Sequence, residues 1–197
     1  MNFELLNIQK GINLIYGEPA TGKTTLAMQL ALDNVDKGKI IFIDTERGFS
    51  VERIKQIDKN YEDKLNKICV INVNNFKEQG KCVENLLKIK NIRLVVIDSL
   101  GFYYRLKLKK DPNKANKDLD KQFQVLSDIS KYSYVLILNQ VYQNIDTKKV
   151  EVVGGNMVKN WSKSILRLEK NPRKIIFEKP YNKEIRFKID DSGIVVL

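Results

Sequence analysis

The octapeptide Gly17-Glu18-Pro19-Ala20-Thr21-Gly22-Lys23-Thr24 fits the pattern G-x-x-x-x-G-K-[ST] without a mismatch, and it dictates what must surround it. Such a loop needs a strand to deliver it and a helix to receive it. Ile12-Asn13-Leu14-Ile15-Tyr16 is a short apolar run that predicts the strand. The following Thr25 to Leu32 places Leu26, Ala27, Leu30 and Ala31 on one helical face. Glycines let the backbone wrap a phosphate, while successive N–H groups and the positive helix end hold its charge. Residues 17–25, from Gly17 through Thr24 to Thr25, are therefore the expected nucleotide cradle. Lys23 is expected to reach the outer phosphates and the Thr24 hydroxyl to ligate Mg²⁺. The chain is expected to bind a nucleoside triphosphate.

A length of 197 residues suits one domain, expected to span 1–197, with a substantial core. No segment approaches 18 unbroken apolar residues, so no membrane span is expected, and the N-terminus lacks the pattern of a secretory leader. Cys69 and Cys82 have no metal-type spacing and read as reduced, partly buried thiols of a cytoplasmic protein. The absence of histidine excludes imidazole acid–base chemistry and any His-bearing metal site. Thirty-five basic against 24 acidic side chains leave a net charge of +11, which favours polyanionic partners.

Apolar runs and helical patterns alternate through the first two-thirds. Strands are predicted over 39–44, 68–73, 93–98 and 134–139, and helices over about 51–57, 77–90 and 114–131. This alternation argues for an α/β fold with a mainly parallel central sheet flanked by helices. The last third differs. Short runs at 164–169, 174–178, 184–189 and 193–196, separated by turn residues, predict a C-terminal antiparallel meander at one sheet edge.

Acidic residues at the carboxyl ends of strands are where such sheets place their chemistry. Asp98 ends Leu94-Val95-Val96-Ile97 and is expected to hold Mg²⁺ beside Thr24, although a capping aspartate would look the same. Asp44-Thr45-Glu46 follows the second strand, where Glu46 has the position of a general base or of an ordinary surface carboxylate. Asn139-Gln140 ends a later strand, and an amide there could contact the γ-phosphate.

Downstream of Asp98, residues 99–111 read as a loop in which Phe102, Tyr103 and Tyr104 stand beside Arg105, Lys107, Lys109 and Lys110. Rings that stack on bases and charges that follow phosphates suit single-stranded nucleic acid. The alternative is a solvated lysine-rich loop with its aromatics turned inward. A second loop, 141–153, carries Lys148 and Lys149 but also Asp146 and Glu151, so its charge signal is weak.

With these residues in place, the chain resembles the RecA/RadA recombinase superfamily, and most of all the short archaeal paralogues of RadA. The matching stretches are GEPATGKTT at 17–25, FIDTERGFSVERI at 42–54, LVVIDS at 94–99, ILNQV at 137–141 and VGGNM at 153–157. The resemblance implies a RecA-like P-loop ATPase core that uses ATP and Mg²⁺. It makes Glu46 the catalytic glutamate, with Lys23, makes Asp98 the Walker B residue, and makes Gln140 the nucleotide sensor. It also turns both loops towards DNA, with Tyr103, Arg105, Lys107, Lys109 and Lys110 as the contacts. Only 16 residues precede the phosphate loop, so the helical N-terminal domain of RadA and its Phe-x-x-Ala polymerisation motif are expected to be missing. The resemblance thus implies a DNA repair and recombination accessory protein with weak ATPase. Its partners would be DNA, single-stranded by preference, a RadA-type recombinase and a second copy as a homodimer. Two competitors remain open: a KaiC-like signalling ATPase on the same fold, and a nucleotide-stabilised binding module that does not need hydrolysis.

Overall fold

In the computed structural model, which describes residues 2–143 and 150–197, the phosphate loop grows out of the middle of a large sheet. Strand β1 (Gly11–Gly17) pairs in parallel with β5 (Tyr134–Asn139) on one edge and with β8 (Ser164–Lys170) on the other. Beyond β5 lie β4 (Ile92–Asp98), β2 (Lys39–Asp44) and β3 (Ile68–Asn72), all parallel. Beyond β8 the chain meanders antiparallel through β9 (Arg173–Lys179), β10 (Lys183–Asp190) and β11 (Gly193–Val196). Among the described residues this makes a nine-stranded sheet, ordered β11-β10-β9-β8-β1-β5-β4-β2-β3. The expected α/β class, parallel core and C-terminal antiparallel edge are all present.

Every residue of β1 is buried, which is why its sequence is almost unbroken in apolar character. Side chains alternate between faces, so Ile15 joins one core layer while Leu14 and Tyr16 join the other. The first layer lies under α1 (Lys23–Leu32) and α2 (Val51–Ile57), with Leu26, Leu30, Phe42 and Phe177 in it. The second is covered by α4 (Phe76–Asn85) and α6 (Pro112–Ser130), together with α7 (Gly155–Trp161), whose closing residue, Trp161, stacks flat on Phe123. A short α3 (Tyr61–Leu65) leads into β3.

Helix boundaries follow local chemistry. α6 begins two residues before the expected 114, because Asp111 caps it through the Lys114 N–H and Pro112 suits the first turn. The predicted helix at 77–90 is α4 followed by a 3-10 turn over Leu86–Lys88. One expectation is corrected: 99–111 is not an irregular loop but contains α5 (Gly101–Leu108). Leu100, Tyr104 and Leu108 recur at helical spacing and turn towards the second core layer, and the Tyr104 hydroxyl donates to Asn116 Oδ1 at 2.6 Å. In 141–153, the described ends pair as β6 (Val141–Gln143) and β7 (Val150–Val152). Asp146, Lys148 and Lys149 lie outside the described residues.

A buried amide fastens the far edge of the sheet to the helix behind the phosphate loop. Gln29 Oε1 accepts the Ile194 N–H at 3.0 Å, and its Nε2 donates to the Ile194 carbonyl at 3.3 Å. Replacing Gln29 by Leu leaves both Ile194 backbone groups without these partners. We expect Gln29→Leu to cost about 1–3 kcal/mol in urea unfolding. A loss below about 0.5 kcal/mol would show that the clasp does not hold β11.

Candidate functional site

The parallel register brings four strand ends level. Asp44 pairs with Asp98, Asp98 with Leu138, and Tyr16 with Asn139, so the segments that follow β1, β2, β4 and β5 emerge side by side. Two glycines shape the phosphate loop. A Cβ at Gly17 would stand 2.3 Å from the Leu168 carbonyl oxygen, so only glycine lets the loop leave β1 against β8. Gly22, at φ +102°, turns the chain into α1 from the left-handed region. From outside, Arg173 donates to the Ala20 carbonyl at 3.2 Å, and Lys170 pairs with Glu18 at 2.9 Å. The second contact is an exposed ion pair of small energetic weight.

Lys23, at the first turn of α1, folds back into the loop. Its Nζ donates to the carbonyls of Gly17 at 2.9 Å and Glu18 at 2.7 Å. Burial pulls its pKa below the ordinary lysine value, while Asp98, Glu46 and Glu18 oppose that pull. Thr24 Oγ1 donates to Asp98 Oδ2 at 2.6 Å, which joins α1 to the end of β4. The backbone of Gly48 runs past this pair, since a Cβ there would lie 3.6 Å from Thr24 Cγ2 and 3.8 Å from Asp98 Oδ2. A hydroxyl and a carboxylate in contact beside a phosphate loop are hard oxygen donors suited to Mg²⁺.

Asp44 is committed to shaping the chain that carries Glu46. Its carboxylate accepts the N–H groups of Glu46 at 3.1 Å, Gly48 at 3.2 Å and Phe49 at 2.9 Å. Glu46, half-buried at the turn, is engaged at both oxygens. Oε1 accepts the Ser99 hydroxyl, and Oε2 accepts the Gln140 side-chain amide at 2.6 Å. Gln140 itself is tied to the hairpin beyond it, because its carbonyl accepts the Val153 N–H at 3.1 Å. The structure therefore brings Lys23, Thr24, Asp98, Glu46 and Gln140 into one place. It adds Asp44, Thr45 and Ser99, which sequence patterns alone leave without a role although all three stand inside the family-like stretches.

The residues expected to face DNA lie elsewhere, on and after α5. Lys109 and Lys110 are exposed at its carboxyl end, where cations also complement the helix dipole. Arg105 and Lys107 are half-buried. Tyr103 turns inward: its hydroxyl donates to the Val73 carbonyl at 3.2 Å, and its ring meets Phe102 edge-on.

A parallel core, a phosphate loop and carboxylates at strand ends define a P-loop fold, and comparison with known proteins gives the family. Residues 7–196 match the Rad51 family, and the chain belongs to it. It is similar to the DNA repair and recombination protein RadB of Methanococcus maripaludis (strain C7), with 37% identity over 210 residues covering 98% of this chain and 97% of that protein. It is also similar to the RadB of Methanocaldococcus jannaschii, with 37% identity over 205 residues covering 97% and 96%. A solved structure, described as the crystal structure of the RadB recombinase, superimposes with a TM-score of 0.80 at 30% identity. That superposition covers 98% of this chain and 94% of the other. The expected resemblance to the short archaeal paralogues of RadA is thereby met. No described helix is long and apolar enough to cross a membrane.

Asp98 carries the main electrostatic cost of the site. Burial pushes its carboxyl from the ordinary 3.8 up to about 6; the Thr24 bond opposes this, and Glu46 and Asp44 add to it. A rise of that size is worth about 3 kcal/mol once the group is ionised. The sign follows from linkage. The folded state holds the proton more tightly, so this contribution is present below pH 4 and is lost as pH rises through about 6. We expect Asp98→Asn to stabilise the nucleotide-free chain by about 1–3 kcal/mol at pH 8, with the gain vanishing below pH 4. Urea titrations across that range would check it, and a pH-independent difference would refute it.

Proposed function

We propose that this chain is a single RecA-like ATPase domain that serves DNA repair and homologous recombination as an accessory factor. It binds ATP and hydrolyses it weakly, binds DNA, single-stranded by preference, and engages a RadA-type recombinase. One observation supports this above the rest. Side chains from four strand ends, Lys23 and Thr24, Glu46, Asp98 and Gln140, converge beside a phosphate loop in contacts that suit nucleotide chemistry. The relatives named as DNA repair and recombination proteins support the biological setting.

The roles follow from the geometry. Lys23 exchanges its loop carbonyls for phosphate oxygens, and α1 presents its amino end to the same charge. Thr24 and Asp98 would hold Mg²⁺, which when bound would neutralise charge on the phosphates. Glu46 takes the proton of the attacking water. Because the Gln140 amide already donates to Oε2 of Glu46, that oxygen must first be released, and turnover is slow. The Gln140 amide, once turned to the γ-phosphate, carries the nucleotide state to the 141–153 segment through its backbone bond with Val153.

Binding to a labelled single strand, measured by fluorescence anisotropy over a salt series with and without ATP and Mg²⁺, tests the reading. Replacing Arg105, Lys107, Lys109 and Lys110 together by Ala should flatten the log–log salt slope by about 2–3, near 0.7 for each phosphate no longer neutralised. Lys23→Ala should abolish the ATP effect on affinity. A parent chain that ignores DNA at moderate salt would overturn the DNA-binding part of the proposal.

A further inference from the structure

If Glu46 is the general base, what aims its carboxylate becomes a question of rate, and the contacts around it answer with a residue to which the proposed chemistry gives no positive role. Ser99 follows Asp98 at the end of β4 and is 1% exposed. Its hydroxyl donates to Glu46 Oε1. Its own position is set by Thr45, the residue just before Glu46. Thr45 Oγ1 accepts the Ser99 N–H at 2.8 Å and lies 2.9 Å from the Ser99 carbonyl and 3.1 Å from the Asp98 carbonyl. The Thr45 N–H donates to the Asp98 carbonyl at 2.7 Å. Glu46 and the serine that touches it are thus clasped together from both sides.

The two donors on Glu46 are not equivalent. Ser99 is buried and cross-tied to the neighbouring strand end, whereas Gln140 is half-buried, and the bond from its side chain to Glu46 is the one its sensor role would release. A hydroxyl on Oε1 fixes the plane of the carboxylate and leaves Oε2 to receive a new partner. We propose that Ser99 is a positioning residue for Glu46, holding Oε1 so that Oε2, vacated by Gln140, is the oxygen that takes the water proton. This rests on the hydrolytic reading of the site. In the step, one water proton passes to Oε2, the water oxygen bonds to the γ-phosphorus, and the P–O bond to the β–γ bridging oxygen breaks. The products are ADP and inorganic phosphate. Ser99 neither gains nor loses a proton.

The test is steady-state ATP hydrolysis by the full chain, with binding of a fluorescent ATP analogue and thermal melting measured alongside. Ser99→Ala should lower kcat about tenfold with KM for ATP little changed, since a misaimed base costs rate rather than binding. A merely structural serine would lower melting temperature and leave the kcat of the folded variant in place. If the alanine variant does not fold, Ser99→Cys, a weaker donor of similar shape, should show a several-fold loss of kcat in the same direction. Parent kcat in the folded variant would overturn the assignment of Ser99 while Glu46→Gln remains inactive. Hydrolysis that survives Glu46→Gln, or a parent chain with none above background, would overturn the hydrolytic reading and this proposal together.

Discussion

The contact between the Thr24 hydroxyl and the buried Asp98 carboxylate is the point on which the site depends. Asp98 stands at the end of an apolar strand that is enclosed on both faces, where a carboxylate loses most of its hydration. Within the described residues, Thr24 is the side chain that returns a hydrogen bond to it, and that bond docks the amino end of α1 against β4. Lys23, one residue earlier, supplies the compensating charge while burying its own amine. Two energetically costly placements, a desolvated lysine and a desolvated aspartate, therefore stand in one small volume with the hydrogen-bonded Glu46. Clusters of this kind mark sites built for binding and chemistry rather than for stability.

The rest of the arrangement keeps these groups from relaxing away from one another. Asp44 uses its carboxylate to fold residues 46–49 into a turn, so Glu46 is aimed by backbone rather than by its own side-chain preferences. Thr45 ties that turn to the end of β4. On the opposite flank, the buried Asn139 donates to the Val153 carbonyl at 2.8 Å, while Gln140 accepts from the Val153 N–H. The paired segment 141–143 and 150–152 is consequently fastened at its base to the same strand end that contacts Glu46. A change in what Gln140 touches has a short mechanical path to follow.

Much of this was legible in the sequence, and the reasons are specific. The phosphate loop carries its meaning in spacing, while Asp98 closes an apolar strand and Glu46 and Gln140 each follow one within two residues, positions that hydrophobic patterning locates well. α5 was not legible, because Arg105, Lys107, Lys109 and Lys110 outweigh the sparse stripe of Leu100, Tyr104 and Leu108. β6 and β7 are three residues each, too short for any period to register. Ser99 and Thr45 escaped for another reason. Both are small hydroxyl residues whose significance lies in a contact spanning 54 positions, and nothing local announces it. Gln29, in turn, reads as an ordinary polar residue of a helix until its partner, 165 residues on, is known.

The central place of β1 has a consequence for how the chain reaches this state. Its neighbours are formed by residues 134–139 and 164–168, while β1 itself ends at residue 17. During synthesis the phosphate-loop strand therefore waits, unpaired on both edges, until most of the polypeptide has left the ribosome. Long-range parallel pairing of this sort closes slowly and leaves apolar surface open meanwhile. Ile12, Leu14 and Ile15 are the residues so exposed. The nucleotide pocket is accordingly among the last parts of the molecule to exist, and a nascent chain stalled short of β8 would carry every residue of the motif without the scaffold that shapes it.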